Sequence, residues 1–194
     1  MTSPTKINFK VYQGSTFRET LRWESSTKVY APITNISKTA PVVITAASHG
    51  VPVGWRFKVT GALGMKEINS DSYYIATASD TNTITVNSVN ALNYTTYTGS
   101  GVLEYNQPVD LAGYTARMQI RTKLDSDAVV HELTTENSGI VVNNTTKTIE
   151  LTIPASTTET FNFTTGVYSI ELVNGSEVTP FANGSITLVK EVTR

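Results

Sequence analysis

The sequence contains no cysteine, which excludes disulfide staples, thiolate nucleophiles and cysteine-ligated zinc, so the 194-residue chain is held by ordinary packing. It also lacks net charge. Fifteen Lys+Arg against sixteen Asp+Glu give −1 at pH 7, and no global field gathers nucleic acid or inserts the chain into an anionic membrane. No run approaches the roughly 18 apolar residues of a membrane helix, and Met1 to Lys10 carries no apolar stretch of the signal-peptide kind, so a soluble, non-exported chain is expected. Leucine and alanine are scarce, at 10 and 13 residues. What fills their place is β-forming: Thr 32, Val 20, Ile 13, Tyr 9, Phe 6 and Trp 2, an alphabet that builds strands rather than helices.

Alternation confirms the class. Ile7, Phe9 and Val11 share one face of a strand, Gln13-Gly14-Ser15 makes a turn, and Phe17, Leu21 and Trp23 form the next apolar face, which predicts an N-terminal hairpin. Glu19 is the misfit on the inner row, expected near a strand edge or a partner. Tyr114, Ala116, Met118 and Ile120 define a half-buried strand whose other face carries Thr115, Arg117, Gln119 and Arg121. Short strands follow as a meander over 128–133, 140–142 and 148–153, separated by Asp125-Ser126-Asp127, Asn137-Ser138-Gly139 and Asn143-Asn144. Pro154 to Glu159 is the one helical turn, with Ser156 and Glu159 at capping-box spacing. Gly166 opens a strand, Asn174-Gly175 is a hairpin signal, and Ser185 to Thr193 closes the pair.

Between the halves, Tyr30-Ala31-Pro32-Ile33 and Tyr105-Asn106-Gln107-Pro108-Val109 echo each other. Residues 33–105 therefore read as an inserted module with its own strands at 42–46, 55–60, 73–78, 83–86 and 101–105, and residues 1–32 with 106–194 as its host. The host has the size of one β-sandwich.

Chemical motifs are sparse. His49 lies in Ser48-His49-Gly50 and His131 on a strand, and neither has metal-ligand spacing. No nucleotide or acyl-transfer motif occurs, and the acid pairs Asp125/Asp127 and Glu67/Asp71 sit where turns need Asp or lack a calcium loop's glycine and distal glutamate. No catalytic, metal or cofactor residue is assigned. Seven N-x-S/T triplets follow from abundant Thr and Asn. The most polarised surface is Arg117, Gln119, Arg121 and Lys123, joined across the sheet by Arg18 and Arg22, a candidate protein interface. Tyr94, Tyr97 and Trp55 make a candidate ligand or partner surface on the insert, against the alternative of cross-strand packing for the tyrosines.

Two patterns carry a resemblance. Phe9-Lys-Val-Tyr-Gln-Gly14-Ser-Thr-Phe17, Asp110-Leu-Ala-Gly113-Tyr-Thr-Ala-Arg117-Met-Gln-Ile120-Arg, Leu133-Thr-Thr, Gly166-Val-Tyr168-Ser-Ile-Glu-Leu172 and Gly184 to Arg194 resemble the N-terminal domain of upper baseplate proteins of siphophages. Ala40-Pro-Val-Val-Ile-Thr45, Ser48-His49-Gly50, Gly54-Trp55-Arg56-Phe57-Lys58-Val59, Gly64-Met65-Lys-Glu-Ile68-Asn69 and Tyr97-Thr-Gly-Ser-Gly101 are similar to the first catalytic-cysteine half-domain of ubiquitin-activating enzymes, whose chemistry a cysteine-free chain cannot share. The resemblance implies an all-β, immunoglobulin-like sandwich with a small inserted β-barrel-like module. It implies a non-enzymatic structural protein of a bacteriophage virion, in tail, baseplate or neck, with no cofactor. The implied partners are other virion proteins and copies of itself in a symmetric ring; a capsid decoration protein and a host-glycan binding module are the alternatives.

Overall fold

The computed structural model describes residues 4–191, and their architecture is an all-β sandwich fold. The chain begins with β1 (Thr5–Lys6), β2 (Phe9–Tyr12) and β3 (Phe17–Leu21). It continues through β4 (Glu24–Pro32), β5 (Asn35–Ile36), β6 (Val42–Thr45), β7 (Arg56–Thr60), β8 (Tyr74–Ile75), β9 (Ala78–Ser79), β10 (Thr83–Val86) and β11 (Val102–Pro108). The last described strands are β12 (Thr115–Arg121), β13 (Val129–Thr134), β14 (Ile140–Asn143), β15 (Thr148–Ile153), β16 (Thr165–Asn174) and β17 (Glu177–Val189), with a short α-helix, α1 (Ala155–Glu159), between β15 and β16. Val192 and Thr193 of the expected closing strand lie outside the described residues.

Two compact units result: a split unit, up to Trp23 and again from Asp110, and a central unit, Glu24–Val109. The division falls outside positions 32/33 and 105/106 because β4 and β11 belong to the central unit. They pair with each other from Pro32↔Val102 to Glu24↔Pro108, and β11 pairs onward with β7. The echoing segments around Tyr30–Pro32 and Tyr105–Pro108 are thus the two halves of one antiparallel ladder.

In the split unit, β1-β17-β16-β12-β13 form one sheet, with β2 also on β17, and β14-β15-β3 form the other. Phe9 of the first sheet meets Phe17 of the second edge-on at 5.5 Å and stacks on Tyr168 at 4.8 Å. Around them Met118, Ile120, Leu133, Ile149, Ile170 and Leu172 are buried in one core, each such side chain contributing roughly 1.5–3 kcal/mol.

The expected N-terminal hairpin does not form. β2 runs parallel to β17 (Phe9↔Ile186 to Tyr12↔Val189), while β3 pairs with β15 (Phe17↔Ile153 to Leu21↔Ile149). Phe9 and Phe17 both need the core, and they reach it from opposite sheets. Gly184 permits the parallel join, because a Cβ there would collide with the Ile7 carbonyl. β3 is an edge strand, and its Glu19 is exposed. The meander is likewise divided, with β13 in the larger sheet and β14 and β15 in the smaller. The helical turn is present, but Pro154 occupies its N-cap and no side chain caps it, so Ser156 and Glu159 form no capping box. Thr158, buried, donates instead to the Ser15 carbonyl at 2.8 Å. The hairpin at Asn174-Gly175 forms, with Asn174↔Glu177 as its last pair and Gly175 at φ 59°, a left-handed value that glycine adopts without a Cβ penalty.

The central unit has two four-stranded sheets, β5-β6-β10-β9 and β4-β11-β7-β8. The chain passes from one sheet into the other between β4 and β5, where the Ile33 and Thr34 amides donate to the Gly101 and Thr45 carbonyls, and again between β8 and β9, where the Ala76 and Thr77 amides donate to the Trp55 and Thr85 carbonyls, so the two sheets are continuous at both shared edges. The predicted strand 73–78 is divided as well: β8 pairs with β7 and β9 with β10, the chain changing sheets at the buried Ala76. Ile44, Trp55, Phe57, Met65, Ile68, Ile84 and Leu103 fill the core. Among the described residues no helix is long and apolar enough to cross a membrane.

Candidate functional site

Alternation along β12 sends Ala116, Met118 and Ile120 inward and Arg117, Gln119 and Arg121 outward. On that outer face the three candidate residues are coupled to their neighbours. Arg117 Nε donates to Glu171 Oε2 at 2.7 Å, Gln119 Nε2 donates to Glu132 Oε1 at 2.7 Å, and Arg121 Nη2 donates to Gln119 Oε1 at 2.8 Å. Arg121 Nη1 donates to the Ser126 carbonyl. Glu171 and Glu132 are the cross-strand register partners of Arg117 and Gln119, so the stripe carries its counter-charges with it. An exposed pair such as Arg117–Glu171 is worth about 0–1 kcal/mol.

Arg18 and Arg22 do not join this stripe. Because β3 pairs with β15, Arg18 lies in the other sheet, with Nη1 3.4 Å from Thr152 Oγ1. Arg22 follows β3 and is half-buried, and its buried Nε has no hydrogen-bond partner among the described residues.

The candidate platform on the central unit is dismantled by burial. Trp55 is 0% exposed, and its indole N–H donates to the Asn106 carbonyl at 2.9 Å. Tyr94 and Tyr97 are half-buried against the same core. The Tyr97 hydroxyl donates toward the carbonyls of Ser100 and Ile33 at 2.8 and 3.0 Å, and burial holds its pKa above the ordinary value. These rings are structural members, not a stacking surface.

His49 is buried: its Nδ1 accepts from the Val51 amide at 3.0 Å, which leaves the proton on Nε2, 3.3 Å from the Thr83 carbonyl. Burial lowers its pKa, and that of the half-buried His131 on β13, so both favour the neutral ring. Glu67 accepts from the Thr95 amide and hydroxyl, both at 2.9 Å, and hydrogen bonds from its own amide and from Thr95 hold its carboxyl below the usual range. Asp125 and Asp127 lie in the loop between β12 and β13. The described residues contain no group of three or more His, Asp or Glu placed to hold a metal ion.

Sequence reasoning missed two surfaces. In the central unit, Tyr73 is 40% exposed, with Arg56 Cζ 4.9 Å, Lys58 Nζ 5.0 Å and Lys28 Nζ 6.0 Å from its ring centroid. Arg56 and Lys58 at i, i+2 were readable as one outward face, but the ring joins them only through the β7–β8 pairing. Arg56 is also paired with Glu24 at 2.7 Å and Lys28 with Glu104 at 2.9 Å. The second surface is a trough on the outer face of the six-stranded sheet, whose hollows measure about 250, 210 and 370 Å³. It passes beside Leu124, which is 83% exposed, and its floor is assembled from five strands. No protein-family model matches this chain, and neither does any curated protein.

Proposed function

We propose that this chain is a non-enzymatic structural protein of a bacteriophage particle, an adaptor in the tail, baseplate or neck that assembles with copies of itself and with other virion proteins in a symmetric ring. In this reading the split unit is the immunoglobulin-like anchoring domain and the central unit is the module it carries. The observation that carries the reading is the ladder from Pro32↔Val102 to Glu24↔Pro108. A unit with its own core is spliced into another through two hydrogen-bonded strands, so its two ends are held together, as suits a rigid assembly part. The sequence resemblance to siphophage baseplate proteins supports the same reading, and symmetry multiplies weak contacts in a closed ring. The host-glycan alternative loses its physical basis with Trp55 in the core.

Quantitative mass spectrometry of purified particles tests the proposal, with the major capsid protein as the internal count. About three to twelve copies per particle is the expected result for a low-order ring. A count in the hundreds transfers the protein to the capsid surface as decoration, and absence from the particle overturns the proposal.

A further inference from the structure

One row of side chains crosses the outer face of the six-stranded sheet from edge to edge. The pairings Glu132↔Gln119, Gln119↔Ser169, Ser169↔Asn183 and Asn183↔Lys6 set these residues side by side on β13, β12, β16, β17 and β1. With neighbouring strands roughly 4.8 Å apart, the row is about 20 Å long. Its middle members, Ser169 and Asn183, are short. Larger side chains stand on either side, Arg117 with Glu171 on one flank and Arg121 with Val167 on the other, so the row is the floor of a trough. The hollow of about 250 Å³ shares Gln119 and Ser169 with the next, of about 210 Å³, which shares Leu124, Val167 and Asn183 with the third, of about 370 Å³.

The two ends of the trough differ in chemistry. At the β13 end the polar groups satisfy one another through Arg117–Glu171 and Gln119–Glu132. Toward β1, the Ser169 hydroxyl, the Asn183 amide and the Lys6 ammonium have no partner in the hydrogen bonds and ion pairs of the described residues. Lys6 and Arg121 line the hollows at this end, and no carboxylate does; Asp125 and Asp127, on the loop that carries Leu124, line neither. Leu124 and Val167 give the same end an apolar wall.

We infer that this trough binds an extended acidic peptide segment of a partner protein. Such a segment matches the trough in three respects. Its carboxylates meet Lys6 and Arg121, an intervening apolar side chain packs on Leu124 and Val167, and its backbone amides and carbonyls satisfy Ser169 and Asn183, where unmet polar groups gain most from a partner. At about 3.3 Å per residue the floor accommodates roughly six residues. An acidic saccharide fits less well. The one aromatic residue of these hollows, Tyr168, is buried with its hydroxyl donating to the Ile7 carbonyl at 2.7 Å, and so presents no face for a sugar ring. The inference names the partner chemistry of the assembly role proposed above. Its test requires no particle, so its failure and the protein's absence from particles are separate results.

Fluorescence anisotropy of the full chain, titrated into a fluorescein-labelled seven-residue peptide of alternating glutamate and leucine, tests it. Saturable binding is expected, at least about tenfold tighter than for the same peptide with lysine in place of glutamate. Lys6→Glu and Leu124→Ser, both at exposed positions, are each expected to weaken binding about fivefold or more with an unchanged thermal unfolding midpoint. No saturable binding overturns the inference. So does equal affinity for the lysine peptide, wild-type affinity in both variants, or tighter binding of polygalacturonate than of the acidic peptide.

Discussion

Replacing Trp55 separates a core residue from a ligand platform by magnitude. Trp55 is fully buried among the central unit's apolar side chains and its N–H holds the Asn106 carbonyl at 2.9 Å. Cutting a core tryptophan to alanine costs about 3–5 kcal/mol, and stripping a buried carbonyl of its donor adds about 1–3 kcal/mol. The total, about 4–8 kcal/mol, rivals the roughly 5–15 kcal/mol that stabilises a whole domain, so Trp55→Ala is expected to leave the central unit largely unfolded. Trp55→Phe keeps a six-membered ring and stays measurable, with an expected loss of about 2–4 kcal/mol. A solvent-facing platform residue would change stability by roughly half a kcal/mol or less. The assay is urea titration followed by hydrogen exchange and mass spectrometry, which scores peptides from 24–109 separately from those of the split unit. A loss below about 0.5 kcal/mol for Trp55→Phe in the central peptides would refute the reasoning.

Two further expectations follow from backbone crowding and from buried imidazole. Gly184→Ala drives a methyl group into the Ile7 carbonyl, and the overpacking is expected to cost about 1–3 kcal/mol. It should raise hydrogen exchange over residues 5–12 before any other segment, and unchanged protection there would contradict the parallel β1–β17 join. His49 has a folded-state pKa below its ordinary 6.5 because burial disfavours the charged ring. The unfolded chain therefore binds the proton first, and the stabilisation is complete above pH 6.5 and is lost as pH falls toward the folded-state value, by at most about 1.4 kcal/mol per pH unit. Urea midpoints of the central unit should be lower at pH 5.5 than at pH 7.5, a window above the titration of Glu67 and of Asp80, whose carboxyl is held below the usual range by hydrogen bonds from Asn82 and Thr83, and equal midpoints would show His49 to be solvated.

Local patterns were legible where their cause was local. The threonine- and valine-rich composition gave the all-β class, the alternation of Tyr114 to Arg121 gave β12 and its two faces, and Asn174-Gly175 gave the β16–β17 hairpin. Partnership was not legible, because alternation fixes which side chains face inward without fixing which sheet supplies the inside. Phe9 and Phe17 satisfy a hairpin and a two-sheet sandwich equally well, and only the Gly184–Ile7 approach and the β3–β15 ladder choose the second. The same ambiguity misplaced Arg18 and Arg22 beside Arg117. Trp55 heads an inward-outward alternation with Arg56 and Phe57, which assigns it to the core once the direction of the face is known. The trough was invisible in sequence because its floor draws one residue from each of five strands, and Lys6 is 126 positions from Glu132.

The splice of one unit into another also orders events during synthesis. Every strand partner of the central unit lies within Glu24–Val109, so its ladders can close once Val109 has left the ribosome. The split unit cannot do the same: β3 waits for β15 and β2 waits for β17, the last of the described strands. At roughly 5–20 residues per second, Phe9 and Phe17 stay without their partners for several seconds after the central unit is complete. Of the two, β2 waits longer, because β17 follows β15 in the chain, and the Phe9 face is open to aggregation for the whole of that interval.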